Sequence, residues 1–246
     1  IVQRVMVNGQ WVAAHGHLLV EPPLASYPDW MMNTLRVSHP LTAADFALKT
    51  DQPHHTTAHV LKVFREQIIS LDQPETLTVA QGEILPDVSR DILKLAVVER
   101  HGKTEPTHVA CGLVRGFGLT RGAIASSIAP DIHQIVVVGV DDSDMATAVN
   151  RLVALQGGIV VCDGGAILGE LPLPLGGLMS DQPYERVIEH LDQISQVAQS
   201  LGCDLPSPFM TLAFAGCPPL TELKLSDQGL IDVIAGRLVP LEIKAG

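Results

Sequence analysis

The run QIVVVGV, at residues 134–140, is the sequence feature that most constrains the fold of this chain. Every residue after its glutamine is apolar, and no polar residue alternates with the apolar ones. A continuous apolar run of this length is typical of a strand that is covered on both faces. The run therefore predicts a central strand of a sheet, with other parts of the chain packed against each face.

The segment GAIASSIA, at residues 122–129, predicts a neighbouring strand whose two faces differ in side-chain size. Small residues occupy one face, namely Ala123, Ala125, Ser127 and Ala129. The other face carries Ile124, Ser126 and Ile128. A face of small side chains lets another element approach closely, and flexible glycines allow a tight turn before the strand. Charged and imidazole side chains flank this strand, namely Arg115, Arg121, Asp131 and His133.

A helix and a hairpin are predicted directly after the central strand. The helix begins at a cap formed by Asp142 or Ser143, carries apolar residues along one face, and ends before Gly157. The segment GIVVCDGGAILGEL follows it and contains two apolar runs that meet at Gly164 and Gly165. Paired glycines between two such runs predict a β-hairpin.

The clearest helix pattern covers residues 180–202. Ser180 or Asp181 is the expected cap, and Pro183 falls in the first turn, where proline is tolerated. Apolar residues then recur three and four positions apart, as expected for a helix that buries one face. They are Val187, Ile188, Leu191, Ile194, Val197 and Leu201.

The first part of the chain shows mainly strand patterns. Asn8–Gly9 and Gly16 separate short alternating runs and predict hairpin turns. Pro86 marks a change of pattern, after which the helices appear. We therefore predict an α+β fold, with a mostly β N-terminal segment at residues 1–85 and an α/β sandwich-like second domain at residues 86–246.

Composition limits the classes of partner. Charged residues make up 17% of the chain, below the roughly 25% of typical soluble domains, and the net charge is −11. Without a basic block, nucleic acid is not an expected partner, and no apolar run approaches the ~18 residues of a membrane span. The low charge predicts a surface covered by another subunit or by more of the same polypeptide. Four widely spaced cysteines predict buried, reduced thiols in a cytoplasmic protein.

Partial motifs in the chain have ordinary interpretations. The glycines of GFGLTRG follow a GxGxxxG spacing without a helix behind them, so turn glycines explain them better than a dinucleotide site. His15 and His17 have the HxH form of some metal sites, but they lie at a predicted hairpin turn. The histidines of HHTTAH fit a surface strand. No complete catalytic set is recognisable.

Three long blocks resemble the C-terminal region of bacterial adenine deaminase, which belongs to the amidohydrolase superfamily. They are RDILKLAVVERHGKTEPTHVACGLVRGFGLTRGAIASSIAPDIHQIVVVGVDDSDMATAVNRL, then GGIVVCDGGAILGELPLPLGGLMSDQP, then LGCDLPSPFMTLAFAGCPPLTELKLSDQGLIDV. The similarity runs from about residue 87 to residue 233. Residues 1–85 resemble the end of the small β domain that accompanies the barrel of this family.

The resemblance implies that the complete enzyme hydrolyses adenine to hypoxanthine and ammonia. In such enzymes a divalent metal, manganese or iron, lowers the pKa of a bound water, and a carboxylate transfers protons. The metal ligands and the main catalytic set lie in an N-terminal (β/α)₈ barrel, which needs about 250 residues. We therefore expect this chain, which starts at Ile1, to be a fragment or a cleaved product without a metal of its own. The barrel and adenine are its implied partners.

The resemblance also marks candidate pocket residues. The family pattern is similar to AHDSHN where this chain has APDIHQ, so Asp131 and His133 match it. Three neighbours depart from the pattern, namely Pro130, Ile132 and Gln134. Asp131, His133 and Ser126 are thus the candidates for the side of the adenine pocket that this domain supplies. Alternatively, Asp131 and His133 hydrogen-bond to each other or to loop backbone in a purely structural role.

Two other functions compete with the enzyme component. The chain would then act without the barrel as a non-catalytic binding or oligomerisation module, consistent with its expected homo-oligomeric state. A separate metal hydrolase built on His15 and His17 is the third candidate.

Overall fold

The computed structural model describes residues 2–21 and 26–243. It confirms the predicted α+β fold, in which strands dominate. The strands are β1 (Arg4–Val7), β2 (Gln10–Ala14), β3 (His17–Leu18), β4 (His55–Ala58), β5 (Leu61–Val63), β6 (Ser70–Asp72), β7 (Glu75–Ala80), β8 (Glu83–Ile84), β9 (Ile92–Val98), β10 (Val109–Arg115), β11 (Ala123–Ser126), β12 (Ile135–Gly139), β13 (Gly158–Asp163), β14 (Ala166–Pro172), β15 (Leu223–Ser226), β16 (Gly229–Asp232) and β17 (Arg237–Val239). The helices are α1 (Asp142–Leu155), α2 (Tyr184–Ser200) and α3 (Pro208–Ala215).

An eight-stranded sheet forms the centre of the molecule, in the order β14-β13-β11-β12-β9-β10-β5-β6. Its neighbours are antiparallel except for the parallel pair β10 and β5. The predicted central strand is β12, and all of its residues are buried between β11 and β9. The segment SRDILKLAVVER contains β9, which is also buried along its whole length.

Helices cover both faces of this sheet. On one face α1 packs against the small residues Ala123 and Ala125, which confirms the predicted close approach for these two. Ala129, predicted on the same face, instead lies in the cluster on the opposite face, because β11 ends at Ser126 and the alternation stops there. The contact is so tight that a Cβ on Gly139 would lie 2.6 Å from Cγ of Met145. On the opposite face α2 and α3 pack against the larger side chains of the same strands, such as Ile124. No helix in the described ranges is long and apolar enough to cross a membrane.

Both predicted helix caps were wrong. Asp141 caps α1, because its carboxylate accepts hydrogen bonds from the amides of the second and third helical residues. Asp142 is instead paired with Lys94 of β9. Helix α2 starts one residue after Pro183, which stands at the cap position, and neither Ser180 nor Asp181 caps it.

Three smaller sheets surround the central one, namely β1-β2-β3, β4-β7-β8 and β15-β16-β17. In the sheet β1-β2-β3 the two turns are formed by Asn8–Gly9 and His15–Gly16, where the sequence predicted hairpin turns. The division at residues 85 and 86 stays a prediction. Strands β5 and β6 precede it in sequence and form one edge of the central sheet.

Candidate functional site

The loop between β11 and β12 presents two of the three candidate pocket residues in an unusual backbone conformation. Asp131 has φ of 66° and His133 has φ of 51°, so both lie in the left-handed region. Residues other than glycine rarely adopt this conformation, because Cβ crowds the neighbouring backbone. Local hydrogen bonds from Ile132 N to Pro130 O and from His133 N to Ala129 O close the turn.

Two side chains from the segment after β9 hold the carbonyl oxygen of His133. Arg100 donates from Nε at 2.7 Å, and Nε2–H of His101 donates to the same oxygen at 2.9 Å. Arg100 is buried, and that burial lowers the pKa of its guanidinium. Its Nη1 donates to Gly176 O at 3.1 Å, and its backbone amide donates to the buried side chain of Gln134.

Asp131 is held from the other side by Cys217, which follows α3. The Cys217 thiol donates to Oδ2 of Asp131 at 2.8 Å. Burial, and then this hydrogen bond, raises the pKa of Cys217 to about 11, so the thiol is protonated at neutral pH and can donate. Gly216 leaves room for Ile132, since a Cβ there would lie 2.5 Å from Cδ1 of that isoleucine.

The side chains of Asp131 and His133 face solvent. Both residues are exposed, and in the described part of the chain they form no hydrogen bond with each other. The imidazole of His133 contacts none of the described polar groups at hydrogen-bonding distance, although its backbone is firmly held. The loop therefore displays an unengaged imidazole and a carboxylate from a fixed backbone.

Ser126 lies in a different place. Its hydroxyl accepts a hydrogen bond from Ile128 N at 3.0 Å, within the start of the same loop. The residue is buried and lines an apolar cavity of about 250 Å³ between the sheet, α2 and α3, with Leu191 and Phe209 among its neighbours. Among the described residues Ser126 hydrogen-bonds to neither Asp131 nor His133. The three candidates thus divide between an exposed loop and an apolar cavity beside α2 and α3.

The two arginines that precede β11 form ion pairs away from this loop. Arg115 pairs with Glu75 at 2.6 Å, and Arg121 pairs with Asp163 at 2.8 Å. The glycines between them are turn glycines, as predicted. The amides of Gly116 and Gly118, both at positive φ, donate to the carboxylate of Asp91, which directly precedes β9.

The histidine pair at residues 15 and 17 lies at the turn between β2 and β3, where both residues are exposed. No group of three or more His, Cys, Asp or Glu side chains within residues 2–21 and 26–243 is arranged to hold a metal ion. The four cysteines are free thiols, and all except the half-buried Cys111 are buried. His59 has an acidic partner that its sequence neighbourhood did not indicate, since Nδ1 lies 2.7 Å from Oδ2 of Asp72.

The sequence pattern gives little indication of the residues that hold the loop. Arg100 is 33 residues from His133, and Cys217 is 86 residues from Asp131. Pairs this distant in sequence leave no periodic pattern. The one available signal was an arginine and a histidine directly after a fully apolar strand, where charged side chains need partners.

Comparison with known proteins identifies related chains. A family model described as adenine deaminase C-terminal domain matches residues 67–237. An adenine deaminase of Desulforamulus reducens is 43% identical over 98% of this chain and 40% of its own length. An adenine deaminase of Archaeoglobus fulgidus is 45% identical over 88% of this chain and 36% of its own length. An adenine deaminase of Methylobacterium sp. is 49% identical over 74% of this chain and 32% of its own length. The chain thus spans between 32% and 41% of the length of the curated relatives it matches.

Proposed function

Because this chain belongs to the adenine deaminase family, whose C-terminal domain it contains, we propose that it is part of an enzyme that hydrolyses adenine to hypoxanthine and ammonia. The observation that carries the proposal is sequence identity of 43% across 98% of the chain with a relative named adenine deaminase. In this proposal the enzyme is a cytoplasmic, oligomeric protein of purine salvage. The metal-binding barrel is a separate part of the polypeptide that packs on this chain.

We assign the divalent metal, manganese or iron, to that barrel. A catalytic metal site needs several imidazole or carboxylate ligands that converge on one point. The described residues do not fit such a site, because no three ligand side chains converge among them. No catalytic step through a metal is therefore assigned to residues of this chain.

The contribution of this chain is proposed to be one side of the adenine pocket. The carboxylate of Asp131 can accept a hydrogen bond from the amine or a ring N–H of adenine, and the imidazole of His133 can donate to a ring nitrogen. The exposure of both side chains and the strained backbone beneath them support this role. Ser126 is the third candidate for the pocket, and its side chain lines the apolar cavity beside α2 and α3.

Enzyme assays on two lengths of polypeptide test the proposal. The first joins this chain to the barrel that its relatives possess, and the second is the 246-residue chain alone. The longer protein should convert adenine to hypoxanthine with one ammonia released per adenine, and the chain alone should not. Failure of the metal-loaded longer protein to deaminate adenine would contradict the proposal, and so would turnover by the chain alone.

A second candidate function, assembly without the barrel, is favoured by one apolar surface. It consists of exposed apolar side chains on α2 and α3, namely Ile188, Leu191 and Met210, of which Leu191 and Met210 line the cavity described above. Exposed apolar patches of this kind often mark interaction sites. This module would form oligomers whether or not the barrel is present.

A further inference from the structure

We propose that Arg100 and His101 are positioning residues for the adenine pocket, because they hold the backbone of His133 so that its imidazole faces outward. The inference rests on the proposed role of His133 in that pocket. Both residues lie in the first of the three blocks that resemble adenine deaminase, but outside the segment APDIHQ that marks the candidate pocket residues. Their role follows from the contacts that they make with it.

Three hydrogen bonds converge on His133 and the residue after it. The carbonyl oxygen of His133 accepts from Nε of Arg100 and from Nε2 of His101, and the amide of Arg100 donates to the side chain of Gln134. A left-handed backbone costs free energy in a residue with a side chain, so it persists only where its surroundings dictate it. Two donors on one carbonyl oxygen supply that constraint at His133.

The contacts of Arg100 indicate that its role is to hold the loop that carries His133. Within the described residues its guanidinium donates to two backbone carbonyls, His133 O and Gly176 O, and forms no ion pair with a carboxylate. A buried arginine that contributes only to stability is usually paired with an acid. Here the cation instead joins two loops through their carbonyl oxygens.

The second loop is shaped around the guanidinium. Gly177 has φ of 72°, and a Cβ on it would lie 2.0 Å from Nη1 of Arg100. Its carbonyl accepts from the hydroxyl of Ser127, which lies at the start of the His133 loop. The two loops are thus linked both through Arg100 and directly, and the position of His133 depends on both.

A double-mutant cycle in the full-length enzyme tests this role. Arg100→Gln and His101→Phe are made separately, each with the native His133 and with His133→Ala. We expect each to lower kcat/KM for adenine about tenfold in the native background. With His133→Ala present, neither should lower it further, since the side chain through which they act is gone. Arg100→Lys, which retains one donor, should recover part of the loss.

Arg121→Gln serves as the matched control, because Arg121 is an exposed arginine that pairs with Asp163 outside this loop. It should keep wild-type kcat/KM. If Arg100→Gln does not fold, His101→Phe carries the test, since His101 is only partly buried.

The outcomes separate this inference from the function on which it rests. Losses that persist undiminished beside His133→Ala would overturn the positioning role. Wild-type activity of the Arg100 and His101 variants, with a clear loss from His133→Ala, would overturn it while leaving the pocket proposal intact. Wild-type activity of His133→Ala itself would remove both.

Discussion

The carbonyl oxygen of His133 joins the exposed loop to the buried side chain of Arg100. Arg100 and His101 reach it from the end of β9, and the cation of Arg100 extends to Gly176 of a second loop. Stability and the display of the imidazole therefore depend on the same few atoms. Substitutions beside Arg100 should reveal this dependence without removing any charged group.

Gly177→Ala should destabilise the chain more than Gly176→Ala. Both glycines have positive φ, so an alanine at either costs about 1 kcal/mol of backbone free energy. Gly176 has open space around a new Cβ, whereas Gly177 would place it 2.0 Å from Nη1 of Arg100. Displacing that side chain should add about 2 kcal/mol. Equal free energies of unfolding for the two variants in urea would show that Arg100 adapts at no cost.

At the scale of single residues, the sequence alone could predict which residues lie in the loop but not which contacts hold them in place. Asp131 and His133 were identifiable because a local pattern carries them. Their left-handed conformations were not, since nothing local except glycine signals positive φ. The partners Arg100 and Cys217 are brought to the loop by the sheet order and by α3, which long-range packing determines.

Single buried lysines fix two of the elements around the central sheet. Nζ of Lys94 lies 2.7 Å from both carboxylate oxygens of Asp142, at the start of α1. Burial raises the pKa of Asp142, against the opposing effect of Lys94. Nζ of Lys224 donates to Phe214 O at the end of α3 and to Ile68 O before β6.

Lys94→Met should lower the free energy of unfolding by about 3 kcal/mol, because it leaves the carboxylate of Asp142 largely buried without its cation. Adding Asp142→Asn should recover a large part of that loss. Lys49→Met is the control, since Lys49 is mostly exposed and its ion pair with Glu83 should contribute less than about 1 kcal/mol. Similar losses for the two lysine variants in urea unfolding would contradict this account of α1.

Lys224 should make the chain more stable as pH rises above about 8. Burial lowers the pKa of Lys224 to about 8, whereas an unfolded lysine has a pKa of about 10.4. Between these values the unfolded state binds more protons, so this contribution to stability rises with pH. Cys217 acts oppositely, because its pKa of about 11 lies above that of an unfolded thiol.

Unfolding free energies of wild type and Lys224→Met at about pH 8 and pH 10 test this sign. The unfolding free energy of wild type minus that of Lys224→Met should be larger at the higher pH. Cys217→Ala should show a steeper rise than wild type, since the opposing group is removed. A constant difference between wild type and Lys224→Met would mean that Lys224 titrates normally.

Element prediction succeeded where periodicity or turn glycines decide the structure, as in α2 and in the hairpin at Gly164 and Gly165. Helix α3 was not predicted. Its sequence, PFMTLAFA, is apolar on all sides because the helix is almost entirely buried, so it shows no amphipathic stripe. The cap of α1 was predicted one or two residues late, at Asp142 or Ser143, and only the position of Lys94 distinguishes Asp142 from the actual cap Asp141.

As a whole the molecule carries apolar surface that a self-sufficient domain would bury. The α2–α3 surface exposes Ile188, Leu191 and Met210, and no residue of the sheet β1-β2-β3 is fully buried. The chain also spans only about 40% of the length of its curated relatives. Both observations support the proposal that a metal-binding barrel packs on this chain.

The isolated chain should self-associate at high concentration through the α2–α3 surface. Leu191→Glu and Met210→Glu should lower the mean mass in light scattering, because they place charge in that contact. Ile234→Glu is the control, since Ile234 is 76% exposed but lies far along the chain, in the turn between β16 and β17. A monomer at all concentrations would remove the support for assembly.

The central claim is that this chain supplies one side of the adenine pocket through the loop of Asp131 and His133. The most direct measurement is kcat/KM for adenine of full-length His133→Ala beside wild type, with metal content determined on the same samples. The account predicts a loss of at least about tenfold, or ~1.4 kcal/mol of transition-state stabilisation, with unchanged metal content. Unchanged kinetics with a lowered melting temperature would contradict it and show that the loop is structural.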